Sequence, residues 1–167
     1  NYPALWTPGC WRLRDIVDYE LITSTALVKL ASDQRAAFVA RFVGAGRRAV
    51  EAGRHEPYAF VLPADSGDAG ARALLANLLI AAGVEVHRAR TPLTANGVTY
   101  PALSLVVRMD QPFRAHAKDL LERQDYPDLR AFPGGPLQPP YDVAGWTLPL
   151  QMGLRVDQVL APLGAAD

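Results

Sequence analysis

The spacing of apolar residues predicts that the chain opens with two long helices. In residues 14–29 apolar side chains recur every three or four positions, which is the period of one helical face. A second helical stretch follows Ser32 or Asp33, either of which can cap its N-terminus, and it ends at Gly53. The residues that define the two faces are Ile16, Val17, Leu21, Leu27, Val28 and Leu30 in the first helix, and Phe38, Val39, Phe42 and Val43 in the second.

The period of the pattern changes after Gly53. Residues 58–63 form a short apolar run that ends in a proline and a polar turn, which is typical of a buried strand. Residues 71–82 have helical spacing and residues 84–89 alternate like a strand. This strand–helix–strand order predicts a parallel strand pair with a right-handed crossover. The side chains expected on the inner face of the helix are Leu74, Leu75, Leu78 and Leu79.

The second half of the chain predicts another strand and another helix. Asn96 and Gly97 form a tight-turn dipeptide. Residues 100–109 contain the apolar run of a third strand, and residues 113–123 have the spacing of a helix.

Proline and glycine dominate the segment that follows. They are so frequent in residues 125–141 that we expect an irregular loop. Thr147 can then cap a single helical turn, and residues 154–160 predict a last strand. The predicted fold is therefore α/β, with two N-terminal helices, a small mixed sheet that contains one parallel strand–helix–strand unit, and a Pro/Gly-rich C-terminal loop.

The length of 167 residues fits one domain. We divide the chain into an arm at 1–12, rich in Pro, Gly and Trp, a single α/β domain at 13–163, and a tail at 164–167. A chain that begins at Asn1 without an initiator Met or a signal peptide is expected to be a piece of a larger protein.

Charge and cysteine content exclude several classes of partner. Lys and Arg total 17, as do Asp and Glu, so the formal net charge is zero. A neutral chain has no long-range attraction for nucleic acid or for an anionic membrane, and we predict neither as a partner. Cys10 is the only cysteine, which leaves no internal disulfide and no thiolate metal cluster.

The residues that could carry catalysis are scattered. A zinc hydrolase needs about three protein ligands, whereas His55, His87 and His116 lie in three different predicted elements. Cys10 has no neighbouring histidine to activate it. Residues 44–49 (GAGRRA) match the glycine pattern of a dinucleotide site, but that site requires a preceding strand and a helix precedes them here. We predict that this chain is not an enzyme and holds no metal or other cofactor.

The turn after the first strand is the best candidate for a ligand site. It consists of Asp65, Ser66, Gly67 and Asp68, at the N-terminus of a helix where free N–H groups gather. Its two carboxylates would repel an anion, so helix capping is the favoured role. Since open α/β sheets bind ligands at the carboxyl ends of their strands, a small-molecule binding module that uses residues 63–67 is an alternative function. A self-contained hydrolase is a third.

Three stretches of the chain point to a larger protein. They are WRLRDIVDYEL (11–21), GVEVHRA (83–89) and YPDLRAFPGGPLQPPYDVAGWTLPLQMG (126–153), with residues 141–153 the most specific. Together they resemble a region of large bacterial proteins related to zinc carboxypeptidases of the carboxypeptidase A class. The similarity extends over residues 2–162.

In those proteins the region follows the metallopeptidase domain, and a glutamine-amidotransferase-like domain often comes after it. The resemblance implies that zinc and the catalytic residues belong to a peptidase domain upstream of Asn1. It also implies a role for this chain as a non-catalytic accessory domain that positions or shapes access to that domain. The upstream peptidase domain would be its partner, and a downstream amidotransferase-like domain a further one. The compartment stays open, although a secreted or periplasmic parent fits the resemblance.

Large aromatic residues in irregular segments suggest where such a partner would pack. Trp6 and Trp11 lie in or beside the N-terminal arm, and Trp146 follows the Pro/Gly loop close to Tyr141 and Asp142. Exposed tryptophans are costly. We therefore expect these five residues to form a seam against the upstream domain, with burial in the chain's own core as the alternative.

Overall fold

The computed structural model describes residues 9–140 and 145–163. The chain forms two compact units, Asn1–Gly44 and Ala45–Asp167, whose boundary lies inside the second helix. The division into an arm at 1–12, a domain at 13–163 and a tail at 164–167 stays a prediction.

The two predicted N-terminal helices are confirmed. Helix α1 (Leu13–Asp33) begins where the Arg12 amide donates a hydrogen bond to the Asp15 carboxylate at 2.9 Å, and helix α2 (Arg35–Ala52) follows directly. The expected cap at Ser32 or Asp33 is wrong because both residues still belong to α1. Only Gln34 separates the helices: its amide donates to the Leu30 carbonyl at 2.9 Å, and its carbonyl accepts from the Phe38 amide at 3.1 Å.

A four-stranded sheet forms the centre of the second unit. Its strands are β1 (Ala59–Leu62), β2 (His87–Arg88), β5 (Leu105–Arg108) and β6 (Asp157–Val159), in the order β2-β5-β1-β6. Helix α3 (Ala69–Ala81) connects β1 to β2, and helix α4 (Arg114–Leu121) follows β5. These elements confirm the α/β class.

The predicted parallel strand pair is wrong. Every pair of neighbouring strands in this sheet is antiparallel. Strands β1 and β2 each pair with β5, so they run in the same direction, but β5 lies between them. The sequence order showed a connection from strand to helix to strand, and it could not show that a later strand would enter the gap.

Strand β1 is buried on both faces. Phe60 and Leu62 contact one apolar cluster, which includes Leu75 and Leu79 of α3, while Ala59 and Val61 contact a second. This double burial explains why the strand is a continuous apolar run without alternation. The expectation that Leu74 and Leu78 point inward is wrong, since they are 54% and 48% exposed.

A short hairpin covers the second face of the sheet. Strands β3 (Leu93–Ala95) and β4 (Val98–Tyr100) pair antiparallel around Asn96 and Gly97, whose φ angles of 50° and 74° confirm the tight turn. The Asn96 amide donates to the Gln158 carbonyl at 2.7 Å and accepts from the Leu160 amide at 3.0 Å. The side chain of the turn therefore fastens the hairpin to the edge strand β6.

The C-terminal elements differ from expectation in detail. Residues 125–140 are irregular apart from one bridge between Arg130 and Leu137, which confirms a loop there, and residue 141 lies outside the described residues. Helix α5 (Leu148–Gln151) is the expected single turn. Thr147 stands at the N-cap position, as predicted, but its side chain makes no capping bond, and its hydroxyl accepts from the Gln124 amide at 2.9 Å.

One buried side-chain amide joins the end of β5 to the segment before β2. Gln111 is 2% exposed, and its side-chain oxygen accepts from the Glu85 amide at 2.7 Å. Its nitrogen donates to the Glu85 carbonyl at 3.1 Å and to the Arg108 carbonyl at 2.5 Å. The Gln111 side chain thus bonds backbone groups of the segment before β2. Strand β2 itself is only two residues long.

Replacement of Gln111 should be costly. Gln111→Ala leaves buried backbone groups without partners, so we expect the free energy of unfolding to fall by about 2–4 kcal/mol. Urea unfolding followed by circular dichroism measures this loss. Gln124→Ala, which removes an exposed bond to Asp119, should change it by less than about 0.5 kcal/mol. Equal effects from the two variants would contradict the assignment.

A buried phenol joins the hairpin to β6. Tyr100 is 2% exposed and its hydroxyl lies 3.0 Å from the Asp157 carboxylate. Burial, reinforced by the hydrogen bond to Asp157, raises the pKa of Tyr100 to about 12.

This shift predicts a loss of stability at high pH. Below the unfolded pKa of about 10 the phenol is neutral in both states, so its contribution is intact. Above it the unfolded chain loses its proton first, so the free energy of unfolding should fall between pH about 10 and about 12. Chemical denaturation across this range measures the slope. Tyr100→Phe should flatten the slope, whereas an unaltered slope in Tyr100→Phe would refute the prediction.

Candidate functional site

The turn between β1 and α3 is held by its own side chains. The Asp68 carboxylate accepts from the Ala71 amide at 2.7 Å, which is the geometry of an N-cap. The Arg72 guanidinium donates to the carbonyls of Pro63 at 3.3 Å and Ser66 at 3.1 Å. The favoured helix-capping role of this turn is thus confirmed for Asp68. Asp65 is exposed, and a ligand role for it stays a prediction.

Close packing explains the glycine in this turn. Gly67 has φ +71°, and a Cβ there would lie 2.9 Å from the Leu154 side chain and 3.2 Å from the Gly153 carbonyl oxygen. Both the conformation and the space therefore require glycine. The turn packs on the segment after α5, so its shape follows from tertiary contacts.

The expected seam is described in part. Trp11 is 50% exposed, and its ring stacks on Tyr19 with the centroids 5.6 Å apart. In the second unit, Trp146 is half-buried and its ring lies 6.1 Å from that of Tyr126. Trp6, Tyr141 and Asp142 lie outside the described residues. A common surface for all five therefore stays a prediction.

The Pro/Gly loop presents an apolar surface that the sequence did not single out. We call it the apolar loop; its exposed side chains are Tyr126, Leu129, Phe132 and Leu137, with exposures of 37–61%. The Gln138 amide donates to the Leu129 carbonyl at 2.8 Å. Arg130 donates to the Gly135 carbonyl at 2.8 Å and pairs with Asp128. The loop is thus folded by its own hydrogen bonds while its large side chains face outward.

A cavity of about 280 Å³ lies elsewhere in the second unit, beyond the end of α2. The Arg108 guanidinium bonds the Asp110 carboxylate at 3.0 Å and holds the pKa of that carboxyl below its usual value. Arg54 pairs with Glu51 at 3.1 Å. Both cations are engaged by neighbouring carboxylates, which weakens the attraction of the cavity for an anion. The lining residues are Gly53, Arg54, Tyr58, Arg108, Asp110, Pro162 and Leu163.

Gly53 confirms the predicted end of the second helix and shows why glycine stands there. A Cβ at this position would lie 1.8 Å from the Met109 carbonyl oxygen. The helix end and the end of β5 therefore approach at backbone distance, which only glycine permits.

Groups with the chemistry of metal ligands are dispersed over the part of the chain that the structure describes. His55, His87, His116 and Cys10 are all exposed, and no cluster of three or more His, Cys, Asp or Glu side chains occurs among the described residues. No described helix is both long and apolar enough to span a membrane. The expected lack of a metal, a cofactor or an activity in this chain stays a prediction.

Comparisons of the chain with protein-family models, with curated proteins and with solved structures found no match. The resemblance to proteins related to zinc carboxypeptidases therefore stays a prediction from the sequence.

The two carboxylates of the turn should differ in their contribution to stability. Asp68→Ala removes the cap of α3, so we expect the free energy of unfolding to fall by about 1 kcal/mol, within about 0.5–2. Asp65→Ala, at an exposed position of the same turn, should change it by less than about 0.5 kcal/mol. Thermal and urea unfolding measure both. A larger loss of stability from Asp65→Ala than from Asp68→Ala would show that Asp65, and not Asp68, has the structural role.

Proposed function

We propose that this chain is a non-catalytic accessory domain that packs on a peptidase-like domain of the same polypeptide and shapes access to it. The observation that carries the proposal is the apolar loop. It presents one tyrosine, one phenylalanine and two leucines to solvent from a segment that its own hydrogen bonds hold in place.

The energetics favour a docking role for this loop. Contiguous exposed apolar side chains are costly in water and mark interaction surfaces in soluble proteins. A loop that is already folded loses little conformational entropy on binding, so more of the gain from burial remains as affinity. The internal bonds of Arg130 and Gln138 supply that order.

The identity of the partner rests on the resemblance. The most specific matching stretch, 141–153, directly follows the apolar loop, and Tyr126 of the loop contacts Trp146 of that stretch. In the proteins that this region resembles, the preceding domain is the metallopeptidase. Zinc and the catalytic residues would belong to that domain, and a downstream amidotransferase-like domain is a further proposed partner.

Charge introduced into the loop should weaken docking. Phe132 is 61% exposed, and the loss of an aromatic anchor at an interface costs about 2 kcal/mol or more, which is roughly thirtyfold in affinity. We expect Phe132→Asp to weaken binding of this chain to the separately expressed upstream segment by at least about tenfold, measured by calorimetry. Ile80→Asp, which places the same charge on an exposed apolar residue of α3, should bind like the unaltered chain.

Hydrogen exchange and activity complete the test. Amides in 126–137 should become protected when the upstream segment is present, and peptidase activity and bound zinc should occur only in the longer polypeptide. An unprotected loop, or unchanged binding by Phe132→Asp, would refute the docking role. Activity in this chain alone would refute its non-catalytic character.

A further inference from the structure

A different surface lies on helices α1 and α2, whose large apolar side chains are mostly exposed. Neither α1 nor α2 contains a buried residue. Isolated helices are marginal in water, and most helical stability in proteins comes from packing of an apolar face. The large aliphatic and phenylalanine side chains between residues 13 and 43 are 38–77% exposed: Leu13, Ile16, Val17, Leu21, Ile22, Leu27, Val28, Leu30, Phe38, Val39, Phe42 and Val43.

Charge is segregated along the same stretch. Residues 13–27 carry Arg14 against Asp15, Asp18 and Glu20, which leaves a net charge of −2. Residues 28–42 carry Lys29, Arg35 and Arg41 against Asp33, which leaves +2. The two halves of the stretch are therefore electrostatically complementary to each other.

The order of residues on this face is also symmetric about the midpoint between residues 27 and 28. Positions seven apart in one helix share one face, so Glu20 lies in a row with Leu13 and Leu27 of α1, and Arg35 lies in a row with Phe42 of α2. Reversal of the chain about the midpoint exchanges these two rows and places Glu20 opposite Arg35. It also pairs Val17 with Phe38 and the small residues Ser24 and Ala31 with each other.

We propose that this face binds a second copy of the chain, antiparallel, with a two-fold axis between residues 27 and 28. An antiparallel pair is self-complementary, as a two-fold interface must be, and sets each acidic half against the basic half of the other copy. A parallel pair would align like charges. The small side chains at the centre let the helices approach closely, and the paired stretch is about 45 Å long at 1.5 Å per residue.

The interface uses residues 13–42 only and does not depend on the apolar loop or on a peptidase partner. Failure of either proposal therefore leaves the other standing.

A charge exchange tests the pairing. Analytical ultracentrifugation of the full chain should show a two-copy species, and Glu20→Lys or Arg35→Glu alone should raise its dissociation constant at least about tenfold, since each places like charges opposite one another twice. An equimolar mixture of the two variants should recover the original affinity. The effect should shrink in 1 M salt, where the screening length is about 3 Å.

Asp18→Lys is the matched control for Glu20→Lys. It makes the same change in charge on the other side of α1, where Asp18 pairs with Arg14 at 3.1 Å, and should alter the dissociation constant less than about threefold. Far-UV circular dichroism checks that each variant keeps its helices, and recovery in the mixture excludes simple misfolding.

The single cysteine reports the direction of pairing. Spin labels on Cys10, which is exposed, should lie on the order of 50 Å apart in an antiparallel pair at 1.5 Å per residue. In a parallel pair they would be separated by little more than the helix spacing of about 10 Å. Three outcomes would each overturn the proposal. The first is a chain that is still monomeric at about 100 μM, since so high a concentration would mean that any association is weak. The others are association that the charge exchange leaves unchanged and a short distance between the labels. In the first case the face is covered by the chain itself or by another molecule.

Discussion

Strand β1 is buried on both faces, and this constraint determines most of the second unit. A strand in that position needs an apolar layer above and below it, because its four side chains alternate between the two faces. Helices α3 and α4 supply one layer and the β3–β4 hairpin supplies the other. The hairpin is small, so polar contacts have to hold it in place. The Asn96 side chain forms hydrogen bonds with the backbone around β6, and the Tyr100 hydroxyl forms one with the Asp157 carboxylate.

The sequence predicted most of the elements of the fold and little of their arrangement. Helical period and glycine stops located α1, α2, α3 and α4, and a continuous apolar run located β1. Strand neighbours could not be found in this way, since the place of β5 between β1 and β2 is decided by packing over both faces. The hairpin was missed as a pair of strands although its turn was recognised, because three-residue strands are too short to show alternation.

In the candidate site, too, local interactions were predicted from the sequence and tertiary contacts were not. Helix capping was correctly favoured for the turn, because a cap is a local interaction between a carboxylate and the amide three residues later; the structure shows that Asp68 makes it. The outward-facing side chains of the apolar loop and the cavity beyond Gly53 were not predicted. The cavity arises from contacts between residues that are distant in sequence. The surface of the loop arises from irregular backbone that the Arg130 side chain holds in place. Composition marked the loop as irregular and could not tell an ordered loop from a mobile one.

The two units differ in how far they bury their apolar side chains. The second unit buries the side chains of β1 between layers of its own chain, and its buried polar groups, such as Gln111 and Ser104, bond to backbone. The first unit has a helical stretch whose apolar residues recur at regular intervals, and none of the described residues of α1 or α2 is buried. A helix that served only as a connection would need no such face, and it would need no reversal of charge between its halves. The symmetry of the stretch about its own midpoint is the pattern that a partner identical to itself would require, whereas a different partner would place no such condition on the sequence.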